Sequence, residues 1–189
     1  MGKKIRVFGL QRSGTNFLEF LIRKNLHVSY ENEYCYNEYM DKKRDSLKHS
    51  KPKLIDGVDY YILIFKLKSN FITSFKKWTH NKSIKLNVSD LYDEMVQDYI
   101  NFYKENEDKC ILILYEDLYN NEIDFINFVG DKFGIETQDS ITIPTNVMDR
   151  SGGANTTNEK FQLLTKTEPN DEELTNGFKE LLKLKWIKK

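Results

Sequence analysis

Cys35 and Cys110 are the only two cysteines in a chain of 189 residues. They form no metal-ligand spacing, and Cys110 opens an apolar run, so they read as free thiols in a reducing compartment. Long hydrophobic runs are missing as well. The longest, over 60–65, is far too short to span a bilayer, and residues 1–10 hold no apolar signal segment. A cytoplasmic location without stable membrane insertion is therefore expected. Nor is there an excess of charge of either sign. The 29 basic residues balance 29 acidic ones, so nothing global favours nucleic acid, and any basic site must be local. No repeat, low-complexity tract or linker divides the chain, which reads as one domain over residues 1–189, long enough for a sizeable core. Aromatics are plentiful: 12 Phe and 11 Tyr point to a core of large rings and to ring-lined pockets.

Hydrophobic periodicity sets out alternating strands and helices. Residues 4–10 read as a buried strand, and 14–25 as a helix with Phe17, Leu18, Leu21 and Ile22 apolar. Residues 27–30 suit a short strand. The polar stretch 31–45, with Tyr34, Tyr36 and Tyr39, reads as a substrate-facing loop, and 47–50 as a short strand. Residues 60–66 are apolar on both faces, as in a parallel sheet. Ser69 is placed to cap a helix over 70–80. A long helix over 88–106 carries Leu91, Met95, Tyr99, Phe102 and Tyr103 on one face. A buried strand over 110–115 and a helix over 121–133 follow, then a Gly-, Asn- and Thr-rich loop over 145–158. Acidic residues at 171–173 start a final helix over 171–185. The alternation predicts a three-layer α/β fold, with a central parallel sheet of about four to five strands flanked by helices. Ligands of such sheets bind beyond the carboxyl ends of the strands. That directs attention to 11–17, His49, 66–70 and 115–117.

The first strand end carries the strongest signal. It runs Phe8-Gly9-Leu10-Gln11-Arg12-Ser13-Gly14-Thr15-Asn16-Phe17 into the first helix. A strand, a tight Gly-containing turn and a helix N-terminus make an anion site, because the first helical N–H groups lack intrahelical partners and the helix dipole adds positive potential. Arg12 adds a full charge, and Ser13 and Thr15 add hydroxyl donors. The Gly-Lys-Ser/Thr of the usual phosphate loop, which sets Lys beside a Mg-binding hydroxyl, is absent. This is a phosphate cradle that need not hold Mg. Taken alone, the turn also suits an ordinary helix cap, and Arg12 a surface ion pair.

Three strand ends together resemble the sulfotransferases that use 3′-phosphoadenosine 5′-phosphosulfate (PAPS). Arg12-Ser13-Gly14-Thr15-Asn16 is similar to the family's 5′-phosphosulfate loop, a basic residue followed by Ser-Gly-Thr-Thr. Lys66, at the end of a strand, with Ser74 eight positions on, resembles its 3′-phosphate motif. Tyr115-Glu116-Asp117-Leu118 matches the Tyr-Glu-Asp-Leu after a late strand. Order and spacing agree over roughly residues 4–120. One departure is Lys66, where the family more often has Arg; Arg grips phosphate with two N–H groups and Lys offers a point charge.

The resemblance implies a P-loop NTPase-like sulfotransferase fold and metal-independent transfer of a sulfuryl group from PAPS to a hydroxyl or amine, on a small-molecule, glycan or protein acceptor. It implies that Ser13, Gly14, Thr15, Asn16 and Phe17 cradle the phosphosulfate, with Arg12 at the bridging oxygen. Arg keeps its proton at neutral pH, so Arg12 is an electrostatic stabiliser rather than an acid. Lys66 and Ser74 would hold the 3′-phosphate, and a loop with Arg150 and Gly152 would close over it. His49 stands where the family's base often stands; Glu19, in the first helix, is the rival, and an exposed loop histidine the plain alternative. His27 and His80 read as structural, and Trp78 as core. Glu116 and Asp117 read as structural too, an Asp after a parallel strand being able to hold the phosphate loop through the turn backbone. Two other readings are a sulfotransferase-like nucleotide-binding module without activity and a P-loop nucleotide kinase. The missing Gly-Lys-Ser/Thr speaks against the kinase.

Overall fold

The computed structural model describes residues 2–30, 34–37, 39, 42–79, 86–119 and 121–143. The expected loop over 145–158, the final helix, His80, Arg150 and Gly152 lie outside the described residues, as does the side chain of Trp78. The chain runs β1 (Lys3–Phe8), α1 (Thr15–Asn25), β2 (Val28–Ser29), β3 (Tyr34–Asn37) and β4 (Lys42–Ser46). A 3₁₀ turn at Leu47–His49 leads to β5 (Tyr60–Phe65), α2 (Lys68–Thr79) and α3 (Val88–Glu105). Then come β6 (Cys110–Leu114), α4 (Tyr115–Leu118) and α5 (Glu122–Phe133).

Side chains alternate across a strand, so a strand that is apolar throughout must be covered on both faces. Ile5 and Val7 of β1, Ile62 and Ile64 of β5, and Ile111 and Ile113 of β6 meet Phe17, Leu18, Leu21 and Ile22 of α1 and Phe125, Ile126, Val129 and Phe133 of α5. The residues between them (Phe8, Tyr61, Leu63, Phe65, Leu112, Leu114) meet Phe71 and Phe75 of α2 and the apolar face of α3. Burying each large side chain is worth roughly 1.5–3 kcal/mol. The result is the expected α/β sandwich of three layers around a parallel sheet. Among the described residues its four strands run in the order β2-β1-β5-β6, every neighbour parallel.

That order fixes where a ligand fits. From β1 the chain crosses through α1 to β2 on one side, and β5 then pairs with the other side of β1. The connections leave β1 and β5 in opposite directions, so a crevice opens at their carboxyl ends. The turns entering α1 and α2 flank it.

Three local expectations are corrected. The stretch 31–45 is not a loop throughout: β3 and β4 pair antiparallel, Tyr34 opposite Ser46 and Cys35 opposite Asp45, with an irregularity between Cys35 and Asn37. Its polar sequence lacks the apolar alternation that marks a half-buried strand. Residues 47–50 form a 3₁₀ turn rather than a strand, because both the N–H and the hydroxyl of Ser50 donate to the Leu47 carbonyl, at 3.1 and 2.8 Å. Helix α2 starts at Lys68, with Phe71 N–H bonded to the Leu67 carbonyl at 2.8 Å, so Ser69 lies inside the first turn and does not cap it. The strand at 27–30 is present as the short β2. Cys110 is a buried free thiol whose pKa burial pushes up to about 12. Among the described residues, no helix is long and apolar enough to cross a membrane.

Candidate functional site

The turn between β1 and α1 is shaped by two unusual backbone positions. Gly14, the N-cap of α1, has φ 93°, and Arg12 has φ 75°. Glycine takes the left-handed region freely, whereas a side chain there costs about 1–2 kcal/mol. Arg12 therefore carries strain that the surrounding fold sustains, as backbone at functional sites often does. Ser13 N–H donates to the Leu10 carbonyl at 3.1 Å, and Leu18 N–H to the Gly14 carbonyl at 3.1 Å. No side chain caps α1, and no acid lies in its first turn. The amides of Thr15, Asn16 and Phe17 thus have no intrahelical acceptor. Ser13 is fully buried, and its hydroxyl has no hydrogen-bond partner among the described residues.

Gly9 lets the end of β1 lie close to its neighbours. A Cβ there would stand 2.7 Å from Ile64 Cγ2 and 2.8 Å from the Ile64 carbonyl oxygen. The Gly9 N–H donates to the Lys48 carbonyl at 2.7 Å, and the Gly9 carbonyl lies 2.6 Å from His49 Nδ1. A carbonyl only accepts, so Nδ1 carries the proton, and the lone pair of the neutral ring sits on Nε2. The 3₁₀ turn is thereby docked on the strand end with an oriented imidazole.

Beside it, Lys48 Nζ donates to Glu19 Oε2 and Asn16 Oδ1, both at 2.8 Å. The Tyr30 hydroxyl donates to the other Glu19 oxygen. Glu19 therefore already serves two donors and fixes the 48–49 turn against α1. Lys48 and Tyr30 are partners that periodicity could not reveal, since they come from different elements.

The second strand end closes the crevice. Lys66 is only 9% exposed, and its ammonium lies 4.5 Å from the centroid of the Tyr115 ring. Burial holds its pKa down at about 8; the Glu116 charge opposes that shift and the Arg12 charge adds to it. Tyr115 also supports the first turn. A Cβ on Gly14 would overlap the ring at Cδ2 and stand 2.6 Å from Cε2. The ring is wedged between Phe17 and Tyr119, each with its centroid 6.0 Å away. Glu116 accepts from Leu67 N–H at 3.2 Å and Asn70 Nδ2 at 2.7 Å, which caps α2 from another element. Burial pushes its pKa up. The Tyr92 hydroxyl donates to the Lys66 carbonyl at 2.5 Å.

Arg12, Ser13, Gly14, Thr15, Asn16, Phe17, His49 and Lys66 are thus gathered at one end of the sheet. Ser74 stands half-buried in the second turn of α2. The ring of Tyr115 lies against Gly14 and supports the first turn. Glu116 anchors the second strand end. Both follow from α4 starting directly after β6, which turns residues 115 and 116 toward the neighbouring loops. The Tyr-Glu-Asp-Leu motif was the signal for them, without their roles.

No protein-family model matches this chain, and no curated protein or solved structure matches it either.

Proposed function

We propose that the protein is a metal-independent sulfotransferase moving a sulfuryl group from PAPS to a hydroxyl or amine acceptor. The observation that carries this reading is the strained, uncapped Arg12-Ser13-Gly14 turn at the strand switch, with the His49 imidazole set beside it and no Lys-Ser/Thr pair for a nucleotide-bound Mg. The buried Ser13 hydroxyl and the amides of residues 15–17 suit the oxygens of a phosphosulfate. The acceptor oxygen or nitrogen attacks sulfur, and the bond from sulfur to the bridging oxygen breaks. The electron pair leaves on 3′,5′-adenosine bisphosphate, and the acceptor proton passes to His49 Nε2. Arg12 stabilises the charge growing on the bridging oxygen, and the fixed donors need no reorganisation during transfer. The buried Cys110 thiol suits a reducing cytoplasm.

Calorimetry tests the reading. The protein binds 3′,5′-adenosine bisphosphate without added metal and transfers label from radiolabelled PAPS to an acceptor in a screen. Binding of ATP-Mg in place of the bisphosphate makes the protein a kinase instead. Bisphosphate binding without turnover on any acceptor leaves a nucleotide-binding module.

The strain at Arg12 gives a separable outcome. Arg12→Gly relaxes the left-handed position, so stability stays within about 1 kcal/mol of wild type or rises. Affinity for 3′,5′-adenosine bisphosphate falls by about tenfold or more, the loss of one charged hydrogen bond. A urea melt and a titration on the same sample check both. Loss of stability without loss of affinity would make Arg12 a structural residue.

Anion affinity should also depend on pH. A bound anion favours charged Lys66, so binding takes up a proton wherever the free protein has lost one. With the free pKa at about 8, affinity is flat below that pH and weakens by up to about tenfold per unit above it. The phosphates, with second pKa values of about 6, stay fully ionised through that window. The same shift makes the ligand-free fold gain stability as pH rises from about 8 toward the free-lysine value of about 10.4. Titrations from pH 7 to pH 10 follow the binding effect, and Lys66→Met should flatten it.

A further inference from the structure

The resemblance implies a separate 3′-phosphate subsite for Lys66, whereas its surroundings join it to the first turn. Its ammonium lies over the Tyr115 ring, and that same ring supports Gly14 in the first turn. Arg12 is near enough to bear electrostatically on Lys66. Among the described residues, the Lys66 ammonium makes no hydrogen bond and no ion pair, although the residue is 9% exposed. Glu116 bears on Lys66 electrostatically, but its carboxylate accepts from Leu67 N–H and Asn70 rather than from the ammonium. A buried ammonium that no carboxylate contacts directly is costly, and a like charge nearby raises that cost. An anion bound at the first turn would offset the cost at Lys66. The second buried donor pointing to the same ligand is the unpartnered Ser13 hydroxyl.

We infer that Lys66 and Arg12 form a two-cation clamp on a single diphosphate-like group, the phosphosulfate at the β1–α1 turn, in place of two clamps on two phosphates. Lys66 stands in, from a different strand, for the lysine that the turn itself lacks. The donor class is then set first by its 5′-phosphosulfate, and a 3′-phosphate is read by groups other than Lys66. This inference rests on the sulfotransferase reading for the identity of the donor, and on the geometry alone for the clamp.

Inorganic pyrophosphate probes the clamp apart from the nucleotide. Wild type binds it in calorimetry at pH 7.5, and Lys66→Met weakens it by about ten- to a hundredfold, as loss of a charged hydrogen bond does. Lys66→Arg retains most of the affinity. The methionine keeps the apolar stem and removes a buried charge, so thermal unfolding should show Lys66→Met at least as stable as wild type. In parallel, Lys66→Met weakens 5′-AMP and 3′,5′-adenosine bisphosphate by the same factor. No measurable pyrophosphate binding by wild type overturns the clamp. So does a variant that keeps pyrophosphate and 5′-AMP affinity and loses only the gain from the 3′-phosphate, although PAPS then remains the donor. If the clamp behaves as stated but the bisphosphate binds no better than pyrophosphate, the PAPS reading fails and the clamp stands.

Discussion

Replacing His49 by alanine lowers sulfuryl transfer by about a hundred- to ten-thousandfold, the usual worth of a positioned general base. Affinity for 3′,5′-adenosine bisphosphate stays close to that of wild type. The two effects separate because the ring is held from the side opposite the reaction: Nδ1–H donates to the Gly9 carbonyl at 2.6 Å, and Nε2 is the basic atom. As a base, the ring must be neutral, so the rate of wild type rises with pH as the imidazole loses its proton. That limb disappears in the alanine variant. His49→Asn is the sharper control. Asparagine offers an N–H to the Gly9 carbonyl but has no base at the Nε2 position. Full turnover in His49→Asn would mean that the ring only supports the strand end.

Glu19 is the competing base, and its surroundings predict different behaviour. Lys48 occupies one of its oxygens at 2.8 Å, and the Tyr30 hydroxyl occupies the other. Glu19→Gln weakens an ion pair that holds the 48–49 turn against α1, at a cost of about 1–3 kcal/mol for a largely buried charged bond. It should lower stability and loosen His49 while keeping the rising limb of the pH profile. Loss of that limb in Glu19→Gln, with its survival in His49→Ala, would assign the base to Glu19.

What could be read from the chain follows from where each signal is encoded. Strands β5 and β6 were legible because Tyr61 to Phe65 and Cys110 to Leu114 are apolar at every position, which only a doubly covered strand requires. The first turn was legible because its strand, glycine and helix are contiguous. The hairpin of β3 and β4 was not, since the four residues of β3 and five of β4 carry no apolar alternation. The start of α2 was missed for a different reason. Its capping carboxylate is Glu116, 49 positions away from Leu67 in sequence, so the local Ser69 was the only cap in view. The same holds for the site. Arg12 and Gly14 advertise themselves, but the placing of Lys66 depends on β5 lying between β1 and β6, which puts the Tyr115 ring within reach of both turns.

Gly14→Ala should have the largest effect on the fold near the site, for two reasons that can be measured apart. Its φ of 93° costs an L-residue about 1–2 kcal/mol. The added Cβ also runs into the Tyr115 ring, and overpacking of that kind typically costs about 1–3 kcal/mol more. Escape is difficult for the ring, which has Phe17 on one flank, Tyr119 on another and the Lys66 ammonium over its face. Together the two effects come to roughly 2–5 kcal/mol in urea unfolding. Anion affinity should fall as well, because the strain is relieved by shifting the very segment that presents the Thr15 and Asn16 amides. A Tyr115→Leu background separates the causes. Once the ring is gone, Gly14→Ala should retain only the backbone cost, so the difference between backgrounds measures the ring contact. An identical cost in both backgrounds would mean that backbone conformation alone demands the glycine. Tyr115 would then lose its place as the support shared by the first turn and Lys66.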